Sequence, residues 1–298
     1  MLKPICPLCH NDNIIQIGDP QISASARHLI DQDYKIVKCK ECQLYFVHPE
    51  ISFSETQWAK LYDKEYFGIM TNWWAGKRTK HRKARLELIK KYCHGTNIKF
   101  LEIGCGEGYI LCDALKLGWD VSGLDIYDNR IAEAHDKNIK FHEGKLLSVS
   151  LKSDYYDIIY VDQVLEHIID PESEIIEIKR ILKRQGLVYI GVPNEDSFTS
   201  IGRKLYYLFT GQTTISHKIK PFKQPYHVIG FTKLSIARLL KKHDFQILRI
   251  RNSSELLEWR KHRPFTRPYF LNLGLMPFNL LAALLKRGSA LEIISKKA

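Results

Sequence analysis

Phe100-Leu101-Glu102-Ile103-Gly104-Cys105-Gly106-Glu107-Gly108-Tyr109-Ile110-Leu111 is the stretch on which the reading of this chain turns. Ile98 to Ile103 is an apolar strand, and Ile110, Leu111, Ala114 and Leu115 repeat with helical spacing after the glycines. Strand, glycine turn and helix open a Rossmann-like unit. Glycine permits the tight turn and lets a ligand approach the backbone closely. The spacing is G-x-G-x-G and departs from the G-x-G-x-x-G of dinucleotide binders. Glu102 stands two positions before the first glycine. The next strand, Trp119 to Leu124, ends at Asp125, about 20 residues on, where an acid can bind ribose hydroxyls.

Downstream, Phe141-His142-Glu143-Gly144-Lys145 closes a short strand, and Tyr156 to Val161 is a buried one. It runs into Asp162-Gln163-Val164-Leu165-Glu166-His167-Ile168-Ile169-Asp170-Pro171. Asp170 caps a helix with Pro171 at its first position. Ile175, Ile178 and Leu182 bury one face of that helix, which is expected to run as far as Gly186. Leu187 to Val192 then reads as a fifth strand, Phe245 to Ile250 as a sixth and Leu291 to Lys297 as a seventh.

The stretches FLEIGCGEGYIL and DQVLEHIIDP resemble the class I S-adenosylmethionine (SAM)-dependent methyltransferases, in their small-molecule branch with the Leu-Glu-His signature. The resemblance implies an α/β fold, a Rossmann-like seven-stranded, mostly parallel sheet whose last strand is inserted antiparallel. It also implies a cofactor site. Glu102, Gly104, Cys105, Gly106 and Gly108 would lie beside the methionine part, Asp125 with Ile126 at the ribose, and Asp162 and Gln163 at the methionine end. Gly144 and Lys145 would lie near the adenine, although relatives often carry an acid where Lys145 stands. Tyr66, ahead of the core, would close over the cofactor. On the acceptor side the resemblance points to His167 and to the Pro225-Tyr226-His227 segment. Methyl transfer from a sulfonium is an in-line displacement that needs an aligned acceptor. A hydroxyl or acidic carbon acceptor also needs a base, and histidine suits neutral pH. His227, His167 and Tyr226 are therefore the catalytic candidates.

Cys6-Pro7-Leu8-Cys9 and Cys39-Lys40-Glu41-Cys42 form two C-x-x-C pairs. Four thiolates at tetrahedral angles suit a structural zinc with no position left for water. The strand-like runs Ile14 to Ile17 and Tyr34 to Val37 would bring the pairs together, and Leu44 to Val47 is a third. Residues 6–10 also match the C-x-x-C-H haem pattern, but haem attachment needs export and leaves the second pair unexplained. Zinc knuckles often carry glycine after the second cysteine, where His10 and Gln43 stand here. The expected organisation is a zinc ribbon at 1–50, a helical linker and cofactor lid at 51–95, and a core at 96–298. Substrate-side insertions are expected at 195–230 and 252–288.

The chain has 298 residues, with 45 Lys and Arg against 33 Asp and Glu, a net charge of +12. That charge sits in two segments. Residues 77–92 hold eight Lys and Arg against one Glu, and residues 251–298 hold nine against three. The first segment reads as a helix with Leu86, Ile89 and Cys93 on one face and its cations in solvent, or else facing an anionic substrate or surface. Within the second, 268–285 is uncharged and apolar, but Asn272, Gly274, Pro277 and Asn279 argue against a spanning helix. Lid, dimer contact and a peripheral membrane-surface contact through 268–287 stay open. The first ten residues lack a basic start followed by an apolar run, so the cytoplasm, or its membrane surface, is the expected compartment. The expected acceptor is a small molecule, such as a nucleotide- or lipid-linked sugar or another envelope or secondary metabolite. Methylation of RNA is the alternative and a non-catalytic scaffold the third reading; the sequence sets no oligomeric state.

Overall fold

The computed structural model describes residues 3–62, 79–93, 95–137, 139–201, 209–211, 218–253, 264–266, 269–270, 273 and 276–298. Three strands come first: β1 (Ile14–Gly18), β2 (Lys35–Cys39) and β3 (Tyr45–His48). They pair antiparallel in sequence order. His10 and Gln43, one after each second cysteine, hold left-handed backbone with φ of 55° and 63°. The knuckle turns thus form without the glycine that usually eases that conformation.

Helix α1 (Glu55–Leu61) starts from a reciprocal Ser54–Gln57 capping box. Helix α2 is Thr79–Lys90. The core then alternates β4 (Lys99–Ile103), α3 (Tyr109–Leu115), β5 (Asp120–Asp125), α4 (Ala132–Asp136), β6 (Lys140–Glu143) and β7 (Tyr156–Asp162). A 3-10 turn, Leu165–His167, leads to α5 (Pro171–Ile181), β8 (Leu182–Pro193) and the short β9 (Ile229–Gly230). Helix α6 (Lys233–Lys242), β10 (Phe245–Ser253), α7 (Met276–Leu284) and β11 (Ala290–Lys297) complete the described elements.

The large sheet has the order β10-β11-β8-β7-β4-β5-β6. Strands β6, β5, β4, β7 and β8 run parallel, and β11 is antiparallel to both β8 and β10. This is the expected seven-stranded sheet with its inserted last strand. Its centre is apolar on both faces, as a covered parallel sheet requires: Phe100, Leu101, Ile158 and Ile159 are fully buried. From β4 the chain crosses to β5 on one side and later to β7 on the other. Between them lies a switch point, where α/β sheets open a crevice at the strands' carboxyl ends.

Two elements differ from the sequence reading. Asp170 does cap α5, accepting from the Ser173 N–H at 3.1 Å, but the helix stops at Ile181. Leu182 is already paired to Tyr156, and the register then slips to place Leu187 opposite Ile158. Strand pairing therefore claims residues that helical periodicity had assigned to α5. The second difference is the small sheet, which gains a fourth strand from the core. Tyr45 pairs with Gly230 and Phe46 with Ile229, so β9 extends the cysteine-bearing sheet.

Candidate active site

The glycine turn is built around Asp125. Its Oδ2 accepts the Gly106 N–H at 2.7 Å and its Oδ1 the Ile126 N–H at 2.7 Å. Gly104, Gly106 and Gly108 all have positive φ, 70°, 48° and 75°. At Gly104 a Cβ would also overlap Val164, so only glycine lets the turn pass beneath the loop after β7. The turn opens on a cleft of about 1520 Å³ at the switch point. Glu102, Gly104, Cys105, Gly106, Gly108, Asp125, Ile126, Gly144, Lys145, Asp162, Gln163, His167, Tyr226 and His227 all line it. Tyr66 lies outside the described residues.

Three carboxylates meet on the floor of the cleft. Burial, then Asp162 and Asp125, push Glu102 well above the usual carboxylate range. Burial also raises Asp125, against the backbone N–H groups that favour its charge. Glu102 Oε2 and Asp162 Oδ1 are buried without hydrogen-bond partners among the described residues. Buried polar atoms of this kind call for a ligand. SAM suits them: it brings cationic sulfonium and ammonium groups and a ribose diol.

Sequence reasoning placed the cations of α2 in solvent. Lys83 and Lys90 are exposed, but Arg82 and Arg85 turn inward and line the cleft. Arg85 Nη1 donates to Asp162 Oδ2 at 2.6 Å, and its Nη2 lies 2.9 Å from Glu292 Oε1 on β11. Burial opposes the charge on Arg85, and Asp162 with Tyr160, Tyr189 and Glu292 outweighs it. Arg82 meets Asp113 at 3.4 Å and stacks over the Tyr109 ring at 4.7 Å. The signal was present in the spacing: 82, 85, 86 and 89 share one helix face, so both arginines fall on the stripe of Leu86 and Ile89.

On the opposite wall His167 is held through both nitrogens. Its Nδ1 lies 3.1 Å from the Tyr62 hydroxyl, and the ring also bonds the Tyr226 main chain. Burial holds it down at about 4, so it is neutral at pH 7. His227 donates from Nδ1 to the Lys218 carbonyl at 2.9 Å, which leaves Nε2 as its unprotonated nitrogen. Burial, the adjacent His167 and nearby lysines keep it neutral too. The two rings meet edge to face at 4.8 Å. Glu166 Oε1 lies 3.9 Å from His227 Nε2, and burial raises the Glu166 carboxyl well above its usual range. Gln163 and Tyr226, on facing sides, both hold left-handed backbone, φ 60° and 63°. Trp58, Tyr62, Ser23 and Ser25 complete the wall and were not anticipated from the sequence.

Cys6, Cys9, Cys39 and Cys42 converge, with all four sulfurs within 4.8 Å of one another. The Cys6–Cys42 and Cys9–Cys39 sulfurs are 3.4 and 3.5 Å apart. Tetrahedral ligation at about 2.3 Å sets sulfurs somewhat under 4 Å apart, so the group fits a four-thiolate metal with little adjustment. The hydrogen bond from Cys42 lowers the Cys6 thiol, against burial that would raise it.

Sheet order, switch-point cleft and glycine turn define a Rossmann-like nucleoside-binding enzyme. The family profile described as "Methyltransferase domain" matches residues 73–250. The chain belongs to this family. It is 29% identical over 154 residues to a ubiquinone biosynthesis O-methyltransferase of Pelagibacter ubique, covering 49% of this chain and 63% of that one. A protein of the same name from Hydrogenovibrio crunogenus is 27% identical over 143 residues, covering 43% and 58%. The chain thus spans less than two thirds of the length of these relatives. A SAM-dependent methyltransferase structure from Archaeoglobus fulgidus superposes with a TM-score of 0.53 at 20% identity, covering 78% of this chain and all of that one, and shows the fold alone.

Proposed function

We propose that this enzyme transfers the SAM methyl group to a hydroxyl of a small-molecule acceptor, in the sense of its O-methyltransferase relatives. The observation that carries the reading is the cleft. At about 1520 Å³ it exceeds the roughly 300–1,000 Å³ of single-ligand pockets. It has an acidic, glycine-lined floor and a wall of aromatic rings and hydroxyls. One small molecule can lie against that wall while SAM occupies the floor.

SAM supplies the electrophilic methyl group. Asp125 with Ile126 would hold the ribose, Gly144 and Lys145 the adenine side, and Glu102, Asp162 and Gln163 the methionine end. Gly104, Cys105, Gly106 and Gly108 would let that end lie against the backbone. Arg85, paired with Asp162, would orient the Asp162 carboxylate at the methionine end. His227 is the proposed base, since the Lys218 carbonyl leaves its Nε2 free of a proton. Tyr226 and His167 fix the wall beside it. Replacing His227 by alanine should lower turnover at least tenfold while S-adenosylhomocysteine affinity stays put; normal turnover removes it from the site.

The four-cysteine group is proposed to hold one structural zinc, and purified protein should contain about one zinc per chain. The RNA alternative drew on charge and the zinc ribbon and needs a basic track to the cleft, and two cations of α2 are instead paired with Asp113, Asp162 and Glu292. No helix among the described residues is long and apolar enough to cross a membrane. Leu280, Leu281, Leu284 and Leu285 are exposed beside Lys286 and Arg287. No acid lies between Glu258 and Glu292. We assign this apolar, cationic face to an anionic lipid surface. Flotation with anionic but not neutral vesicles at low salt supports the assignment, and a concentration-dependent dimer without flotation replaces it.

A further inference from the structure

The small sheet and the acceptor wall are one piece of structure. The strap from Ile22 to Ser25 leaves the cysteine-bearing sheet and reaches the cleft, where Ser23 and Ser25 line it. Ile22 bridges Phe222 in parallel. Ser23 donates twice to the Phe222 carbonyl, from its N–H at 2.9 Å and its hydroxyl at 2.9 Å. The Phe222 ring is fully buried and sits 4.9 Å from Tyr34 and 5.8 Å from Phe53. All four partners, Ile22, Ser23, Tyr34 and Phe53, precede the core in sequence.

Phe222 belongs to the loop that carries Tyr226 and His227. That loop folds back on itself: the Lys220 N–H donates to the His227 carbonyl at 3.0 Å, and the Tyr226 N–H to the Lys223 carbonyl at 2.9 Å. Two residues beyond His227 the chain enters β9 and pairs with β3. The loop is thus gripped at Phe222 by the strap and just past His227 by β3. Strand β3 is in turn paired with β2, which ends at Cys39. The cofactor floor has none of these connections. Asp125 is held by Gly106 and Ile126, within the core.

We propose that the cysteine-bearing sheet is the positioning element of the acceptor side. Ser23 and Phe222 set the Tyr226–His227 loop, and the metal they depend on fixes that loop without contributing to the cofactor floor. Loss of the metal then disables acceptor positioning and spares cofactor binding. The inference rests on the zinc and acceptor-wall readings given above.

Amide hydrogen exchange tests it in the full chain. Zinc-loaded protein is compared with chelator-stripped protein, with S-adenosylhomocysteine affinity measured on both. Stripping should speed exchange of residues 218–230 by about tenfold or more, leave β4 and β7 protected, and change the affinity less than about twofold. A second arm keeps the metal: Phe222→Ala should speed the same segment with zinc retained, and Phe222→Leu should restore part of the protection. Unchanged exchange at 218–230 after metal loss, or in Phe222→Ala, overturns the proposal. So does loss of S-adenosylhomocysteine binding on stripping, which would make the sheet a support for the whole fold. If the native protein holds no zinc, the zinc reading fails and the Phe222 arm still decides the grip. If it binds no S-adenosylhomocysteine, the cofactor reading fails and exchange still reads the loop.

Discussion

Arg85 joins two carboxylates that enter from different strands, Asp162 at the end of β7 at 2.6 Å and Glu292 on the antiparallel β11 at 2.9 Å. A helix that precedes the core in sequence is thereby fastened to the floor of the cleft. All three side chains are largely buried. Arg85→Ala would leave Asp162 and Glu292 uncompensated, and removing one partner of such a group costs about 3–5 kcal/mol. Urea unfolding should show a loss of that order. Arg85→Lys should recover part of it, because an ammonium keeps the charge but not the forked geometry. A loss under about 1 kcal/mol would mean that water replaces the guanidinium.

Asp125 offers the clearest test of the cofactor assignment. Its oxygens already accept the Gly106 and Ile126 N–H groups at 2.7 Å, with Tyr127 as a third backbone donor, which orients the carboxylate. A carboxylate has about four lone-pair sites, so one remains for a ribose hydroxyl. Hydrogen bonds to a charged group are worth about 1.5–3 kcal/mol. Asp125→Ala should therefore weaken S-adenosylhomocysteine binding by about ten- to a hundredfold in calorimetry. Unchanged affinity would put the ribose elsewhere.

What could be read in advance divides along physical lines. The glycine turn, the acid after β5 and the capped α5 announce themselves because each depends on neighbours a few residues away. The central strands do so because they are apolar on both faces. Arg82 and Arg85 were misjudged because charge was read as exposure, although helix geometry put them on the buried stripe. Trp58 and Tyr62 fall in the 51–95 segment expected to cover the cofactor, although neither was singled out, and Ser23 had no local signal at all. Their place at the cleft is a matter of tertiary packing, like the pairing of β3 with β9, which joins residues about 180 apart and which no periodicity reports. The end of α5 was misplaced for a similar reason, since Leu182 is settled by its partner Tyr156.

His167 should leave a signature in stability against pH. Burial holds it at about 4 in the folded protein, against about 6.5 in an unfolded chain. As pH falls, the unfolded state takes up the proton first. The contribution is complete above about pH 6.5 and is lost on the way down to about pH 4. The difference amounts to about 3 kcal/mol. Glu102, Glu166 and Glu174 are raised by burial and titrate in the opposite sense. The comparison is therefore with His167→Gln, which keeps those acids. Wild type should lose about 3 kcal/mol relative to the variant between pH 7.5 and 4. Parallel curves would show that His167 is hydrated.

Gly191 tests whether Asp162 must stand where it does. A Cβ at Gly191 would overlap Asp162 Oδ1. The same glycine accepts the Gln163 N–H through its carbonyl at 2.8 Å, so the strand end and the loop after β7 are fitted to each other. Asp162 cannot simply swing aside, because Arg85 holds its other oxygen. Gly191→Ala should therefore shift the Asp162–Gln163 corner and weaken S-adenosylhomocysteine binding by about tenfold or more. The cysteine group and its metal content should be untouched. Overpacking of this kind costs about 1–3 kcal/mol, within what a folded domain tolerates, so the variant should remain measurable. Asp162→Ala alone removes the carboxylate without crowding and should also weaken the affinity, while its stability falls for a separate reason, the loss of one of the two acids that hold Arg85. Full affinity in Gly191→Ala alone would show that the corner carries no part of the cofactor site.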